Sequence, residues 1–127
     1  MPLADGFYEW KREGSRKQSY HLRLRDGEPF AFAGLWDRWH PKDGQPLETC
    51  VILTTTPNEV LRPLHDRMPV ILPPDAYSLW LDPTIGEVEH LQTLLTPYSA
   101  DEMIAYPVGT RVNSPAYDSP ECIAPLA

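Results

Sequence analysis

The chain is 127 residues long, 42% hydrophobic and 10% aromatic, with a formal net charge of −7. That length suits one domain with a core and excludes a disordered tail, while the acidic balance excludes binding a polyanion over the whole surface. No apolar run approaches the roughly 18 residues of a membrane span, so no membrane partner is expected and a cytoplasmic location is.

Fifteen prolines favour short strands and turns over long helices, because proline lacks an N–H and breaks ladders. The pattern predicts a strand from Phe7 to Lys11 and a partner from Ser19 to Arg25, where Tyr20, Leu22 and Leu24 alternate with His21, Arg23 and Arg25. Glu13-Gly14-Ser15 is the turn between them, and Asp26–Pro29 is another. Phe30 to Trp36 reads as a central strand, Asp37 to Pro46 as a polar loop, and Cys50 to Thr55 as a buried strand. Asn58 reads as the cap of a short helix over Glu59–Leu64, limited by Pro63. Met68 to Leu72 follows as a strand, then a helix capped by Asp75 and running to Leu81, then a helix over Glu87–Leu95 with Val88, Leu91, Leu94 and Leu95 on one face. Met103 to Val108 is a last strand, and Arg111 to Ala127 a proline-rich, meandering tail. The sum is a β-rich α+β domain.

Charge is unevenly spread. Residues 1–62 carry nine of the eleven Lys and Arg against nine acids, while residues 63–127 carry only Arg67 and Arg111 against nine acids. Six bases fall between Lys11 and Arg25, a stripe that can guide a polyanion locally or simply solvate a hairpin. Cys50, in its apolar run, reads as a buried strand residue, and Cys122, near the tail, as exposed; neither has metal-ligand spacing.

Two residues carry the chemistry. Glu9 sits in Asp5-Gly6-Phe7-Tyr8-Glu9-Trp10, where aromatic bulk strips water from a carboxylate and favours its acid form. His65 opens His65-Asp66-Arg67-Met68-Pro69-Val70. A carboxylate and an imidazole from distant segments are the usual parts of an acid–base site. The plainer alternatives are an edge glutamate paired with Lys11 or Arg12, and a histidine that caps or fills the core. Asp66 would orient the imidazole or pair with Arg67. His21, His40 and His90 lack such context and read as surface residues. With no cluster of His, Cys and acids, no metal site and no cofactor is expected. Thr54-Thr55-Thr56 offers hydroxyls to a phosphate or merely ends a strand. Trp36 reads as core, and Trp39, in a polar loop, as the better platform for stacking on a base.

Ala4–Trp10, Phe32-Ala-Gly-Leu-Trp36, Ile52-Leu-Thr-Thr55 and His65–Leu72, in that order and with Val112-Asn113 behind them, resemble the SOS-response-associated peptidase (SRAP) family over nearly the whole chain. The resemblance implies a barrel-like, β-rich fold with short flanking helices. It implies binding of single-stranded DNA and capture of an abasic site as a DNA–protein crosslink, by a cysteine that follows the initiator methionine and offers both amine and thiol. By that resemblance Glu9 and His65 are the catalytic acid/base residues and Arg67 meets the DNA backbone; Trp39, Thr54 and Thr55 join the expected DNA face on their own chemistry, as a stacking platform and as hydroxyls for a phosphate. The Met-Cys-Gly-Arg start of the family is absent from these residues, so the chain is expected to be the C-terminal portion of a single SRAP domain over residues 1–127, incomplete at its N-terminus and without the nucleophile. Cys50 and Cys122 cannot replace it, since ring closure needs an amine on the same residue. Two outcomes are therefore carried: the acid/base half of an abasic-site sensor, associated with the nucleoid at damaged DNA in a bacterium, or an inactive relative that binds single-stranded DNA non-covalently. Missing strands would also favour self-association through exposed sheet edges.

Overall fold

The computed structural model describes residues 1–127. The strands, in chain order, are β1 (Leu3–Ala4), β2 (Phe7–Glu13), β3 (Arg16–Leu24), β4 (Phe30–Phe32), β5 (Gly34–Trp39), β6 (Leu47–Ile52), β7 (Thr54–Thr55), β8 (Met68–Pro69), β9 (Ile71–Leu72) and β10 (Met103–Pro107). Helix is confined to α1 (Tyr77–Leu81), α2 (Val88–Gln92) and four single 3-10 turns. The α+β, sheet-rich architecture read from the sequence is the one found.

The strands form four small antiparallel sheets: β1-β4-β9, β10-β3-β2, and the pairs β5-β6 and β7-β8. The hairpin β2–β3 turns at Gly14, whose φ of 63° is the left-handed conformation that a glycine adopts without strain. Three strand breaks meet at one corner. Ala33 N–H donates to the Val70 carbonyl, Val70 N–H to Leu53 and Leu53 N–H to Ala33, each at 2.9 Å. This ring of bonds lets the chain bend from one sheet into the next while every broken ladder position stays paired. It also splits the expected Phe30–Trp36 and Met68–Leu72 strands in two.

The core lies between the two larger sheets. Leu22 and Leu24 of β3, Phe30 and Phe32 of β4, Leu61, Met68, Ile71 and Met103 make one cluster, with Phe7 packed edge-on to Phe32 at 5.9 Å. A smaller one joins Ala33, Val70 and Leu72, covered by Tyr77 and Trp80 of α1 and by Leu94 and Leu95.

Several local expectations are corrected. His21 is buried at 5% exposure, not a surface residue, because Tyr8 and Tyr106 flank its ring at 5.4 Å and Gly6 lies against it. The C-terminal tail is not loose: Val108 bridges Pro125, Leu126 N–H bonds the Pro107 carbonyl, and Thr110–Asn113 and Pro120–Ile123 form 3-10 turns. Cys122 is buried in it, and Cys50 is exposed, the reverse of the sequence reading. Every residue of β6 is exposed, and Trp36 is 69% exposed rather than core. Trp39 belongs to β5 rather than to a loop. The segment after Asn58 makes only one helical turn, closed by Arg62 N–H to Asn58 and His65 N–H to Leu61, since Pro63 has no N–H to extend it. Asp75 lies inside a 3-10 turn, Pro74–Ala76, and caps nothing with its side chain; the second helix spans only Val88–Gln92.

Candidate functional site

β2 is the outer strand of its sheet, so one backbone edge is open. The turn Leu64–Asp66 lies beside it. Together they enclose an open depression of about 390 Å³ lined by Glu9, Trp10, Arg12, Lys17, Leu64, His65 and Asp66. The two residues singled out for acid–base chemistry, far apart in sequence, share this one concavity.

Each is held differently. Glu9 is half-buried and in no ion pair; its Oε1 accepts the N–H of Trp10 at 3.1 Å. The expected alternative, a pairing with Lys11, is not realised, because Lys11 Nζ lies 3.6 Å from Glu13. The lining differs from the dense apolar setting read from the flanking aromatics: only Trp10 and Leu64 are apolar. Phe7, on the same face of β2, packs against the core, and Glu9 lies two residues further along the strand, beyond the core cluster and among charged neighbours.

His65 is anchored through its Nδ1 edge. Arg67 N–H donates to Nδ1 at 3.1 Å, and the Asp66 carboxylate lies 3.2 Å from the same nitrogen. Asp66 therefore stands against His65 and not Arg67. The Arg67 carbonyl also lies 3.2 Å from Nδ1, so this edge of the ring is fully occupied by the turn, while Nε2 bonds no protein group and is open to a ligand.

Arg67 donates to Thr54 instead, from Nη2 to the carbonyl at 2.8 Å and from Nε to Oγ1 at 3.3 Å. It has no carboxylate partner, and its unused N–H donors leave it able to meet an anion. Thr55 is committed elsewhere: its hydroxyl donates to the Leu95 carbonyl at 3.1 Å and ties β7 to the end of the second helical segment. Trp39 does not line the depression; it stands 61% exposed at the far end of the β5–β6 ribbon, opposite Leu47.

Sequence reasoning passed over the structural support of Trp10. Its indole N–H donates to Asn113 Oδ1 at 2.6 Å, and the same oxygen accepts from the Ser19 hydroxyl at 2.9 Å. The Val112-Asn113 pair was the one signal for this. Behind Trp10, His21 Nδ1 lies 2.9 Å from the Tyr106 hydroxyl, which itself donates to the Ile123 carbonyl at 2.9 Å. The hydroxyl proton is thus spent, so the imidazole carries its proton on Nδ1 and is the donor. Burial holds His21 below the usual histidine range, helped by Arg23 and opposed by Asp5. No three His, Cys, Asp or Glu side chains converge as a metal site. No helix is long and apolar enough to cross a membrane.

Fold and site together define a class: a small, sheet-rich α+β protein with a carboxylate and an imidazole gathered at the open edge of one sheet. The model of the SOS response associated peptidase (SRAP) family matches residues 2–115, and the chain belongs to that family. It is 49% identical over 121 residues to the abasic site processing protein YoqW of Bacillus subtilis (strain 168), covering 94% of this chain and 54% of that protein. It is 35% identical to the abasic site processing protein HMCES of Gallus gallus, covering 98% of this chain and 42% of that one. The crystal structure of a Bacteroides thetaiotaomicron protein superimposes with a TM-score of 0.88 at 31% identity, over 98% of this chain and 55% of the other. The chain thus spans about half the length of the curated relatives it matches.

Proposed function

We propose that this chain supplies the acid–base half of an abasic-site processing centre and a face for single-stranded DNA. The carrying observation is the shared depression of Glu9 and His65, with the free Nε2 of His65. The names of relatives such as YoqW and HMCES support the substrate. This reading puts the protein in the cytoplasm and, in a bacterium, on the nucleoid when DNA is damaged.

The chemistry needs proton transfer at defined atoms. An amine adds to the aldehyde carbon of a ring-opened abasic sugar and gives a carbinolamine. Glu9 or His65 protonates its hydroxyl, which leaves as water; a thiol then adds to the imine carbon and returns its proton to the base. Neither Cys50 nor Cys122 lines the depression, so no residue of its lining offers an amine and a thiol together. Arg67, braced on Thr54, would meet a phosphate beside the site, and Trp39 a base further along the strand.

Free cysteine carries both amine and thiol and can stand in for the nucleophile. The chain is expected to accelerate capture of abasic single-stranded DNA by free cysteine. Glu9→Gln or His65→Gln should each remove roughly 100-fold of that acceleration, the low end for a general acid–base group. Equal rates for wild type and both variants would overturn the assignment. A covalent protein–DNA band on a denaturing gel, formed without borohydride or cysteine, would show that the nucleophile lies within the chain.

A second proposal concerns partners. Leu35, Trp36, Trp39, Leu47, Val51 and Ile52 of the β5–β6 ribbon are all exposed, and this supports self-association of the isolated chain.

A further inference from the structure

The six bases between Lys11 and Arg25 do not act as one stripe. Lys11 is beside Glu13. Arg16 stands opposite Glu13 in the register. Arg23 donates to the Leu24 carbonyl at 2.8 Å, and Arg25 to the carbonyls of Asp101 at 3.0 Å and Met103 at 3.3 Å, so both are spent on backbone at the far end of β3. Arg12 and Lys17 remain. They face each other directly across β2 and β3, both are exposed, neither takes part in an ion pair, and both line the depression that holds Glu9 and His65.

We propose that Arg12 and Lys17 form a phosphodiester subsite on the wall of that depression. Like charges directly opposite on neighbouring strands repel. The chain has eighteen acidic residues, yet none neutralises this pair. Of the two carboxylates that share the concavity, Asp66 is turned to His65 and Glu9 accepts the N–H of Trp10, and neither pairs with Arg12 or Lys17. The unbalanced pair is relieved by an anion from outside. A planar guanidinium gives two parallel donors to a phosphate and the ammonium adds a point charge, so the ligand class is a phosphodiester of a nucleic-acid backbone whose adjoining sugar lies over Glu9 and His65. On an acidic protein this local inversion fixes where along β2 the strand enters. The inference rests on the functional reading above and adds a subsite to it.

The test is anisotropy of a labelled single-stranded oligothymidylate, titrated with wild type, with Arg12→Gln/Lys17→Gln, and with Lys42→Gln/Arg111→Gln as a charge-matched control outside the depression. Two lost phosphate contacts should flatten the slope of log Kobs against log salt by about 1.4, at about 0.7 per contact on a single strand. The control should leave the slope unchanged. Because the pair repels, Arg12→Gln/Lys17→Gln should unfold at the same or higher urea midpoint than wild type, which separates a ligand site from a structural one. Wild-type binding with an unchanged slope in Arg12→Gln/Lys17→Gln would overturn the subsite alone. No wild-type binding even at about 20 mM salt would overturn the subsite and the DNA reading together, whereas failure in the cysteine-capture assay touches only the acid–base roles.

Discussion

Gly6, which opens the Gly-Phe-Tyr-Glu-Trp motif, owes its identity to His21. A Cβ at position 6 would lie 2.3 Å from His21 Nε2 and 2.9 Å from the Leu22 carbonyl oxygen. The imidazole cannot simply rotate away, because its other nitrogen is tied to Tyr106 and through it to the tail at Ile123. Gly6→Ala is therefore expected to cost about 2 kcal/mol, in the range of overpacking a filled core. The measurement is the urea midpoint of unfolding, and a midpoint equal to wild type would show that the hairpin and tail yield freely. This corner was hidden in the sequence. The alternation of His21 with Arg23 and Arg25 reads as a solvated face, and nothing local signals that Tyr106, on a strand far along the chain, will cover it. Glu9 and His65 could be singled out because each stands in a short, distinctive stretch, but their shared depression and its mainly polar lining were not readable there.

At the level of elements, the turn that presents His65 depends on Asn58. Its Oδ1 accepts the N–H groups of Val60 at 3.1 Å and Leu61 at 3.0 Å, and its Nδ2 donates to the Tyr98 carbonyl at 2.8 Å. Leu61, fully buried, then anchors the turn in the core, and its carbonyl receives the N–H of His65. The capping role of Asn58 was readable from its place before Glu59 and Val60. The bond to Tyr98 was not, because it spans forty residues. The two roles separate by mutation. Aspartate caps as well as asparagine, but Asn58→Asp replaces the donor with a carboxylate oxygen facing a carbonyl. Asn58→Ala should cost about 2–3 kcal/mol for the loss of buried hydrogen bonds, and Asn58→Asp at least as much. Wild-type stability of Asn58→Asp by urea unfolding would remove the Tyr98 bond from the account and leave a cap alone. Short strands were legible by period, whereas their breaks at Ala33, Leu53 and Val70 were not, because a mutual ring of backbone bonds leaves no side-chain pattern.

For the whole molecule, the part with the most exposed apolar surface is the β5–β6 ribbon. Apolar side chains normally imply a covering layer, which is why Cys50 and Trp36 read as buried. Here the register puts Leu35 beside Val51 and Trp39 beside Leu47 on one face, with Trp36 beside Cys50 on the other, and all are exposed. A two-stranded ribbon bare on both faces is marginal in water. Its own ties are the corner at Leu53 and Ala33, the indole N–H of Trp80 on the Gly34 carbonyl at 3.2 Å, and the Arg38–Glu48 pair. In the self-association proposed above, a second copy would cover those faces. Sedimentation should therefore show association that rises with concentration, and Leu35→Lys/Val51→Lys should return it to monomer with no loss of urea midpoint, since neither side chain supports the core. Cys50 gives an independent readout. Maleimide should label it rapidly in dilute protein and progressively more slowly as association proceeds, while the buried Cys122 reacts only on unfolding. A chain that stays monomeric at about 0.3 mM, far above the micromolar range of a weak specific dimer, would show that the ribbon tolerates water and that its apolar faces await a different partner.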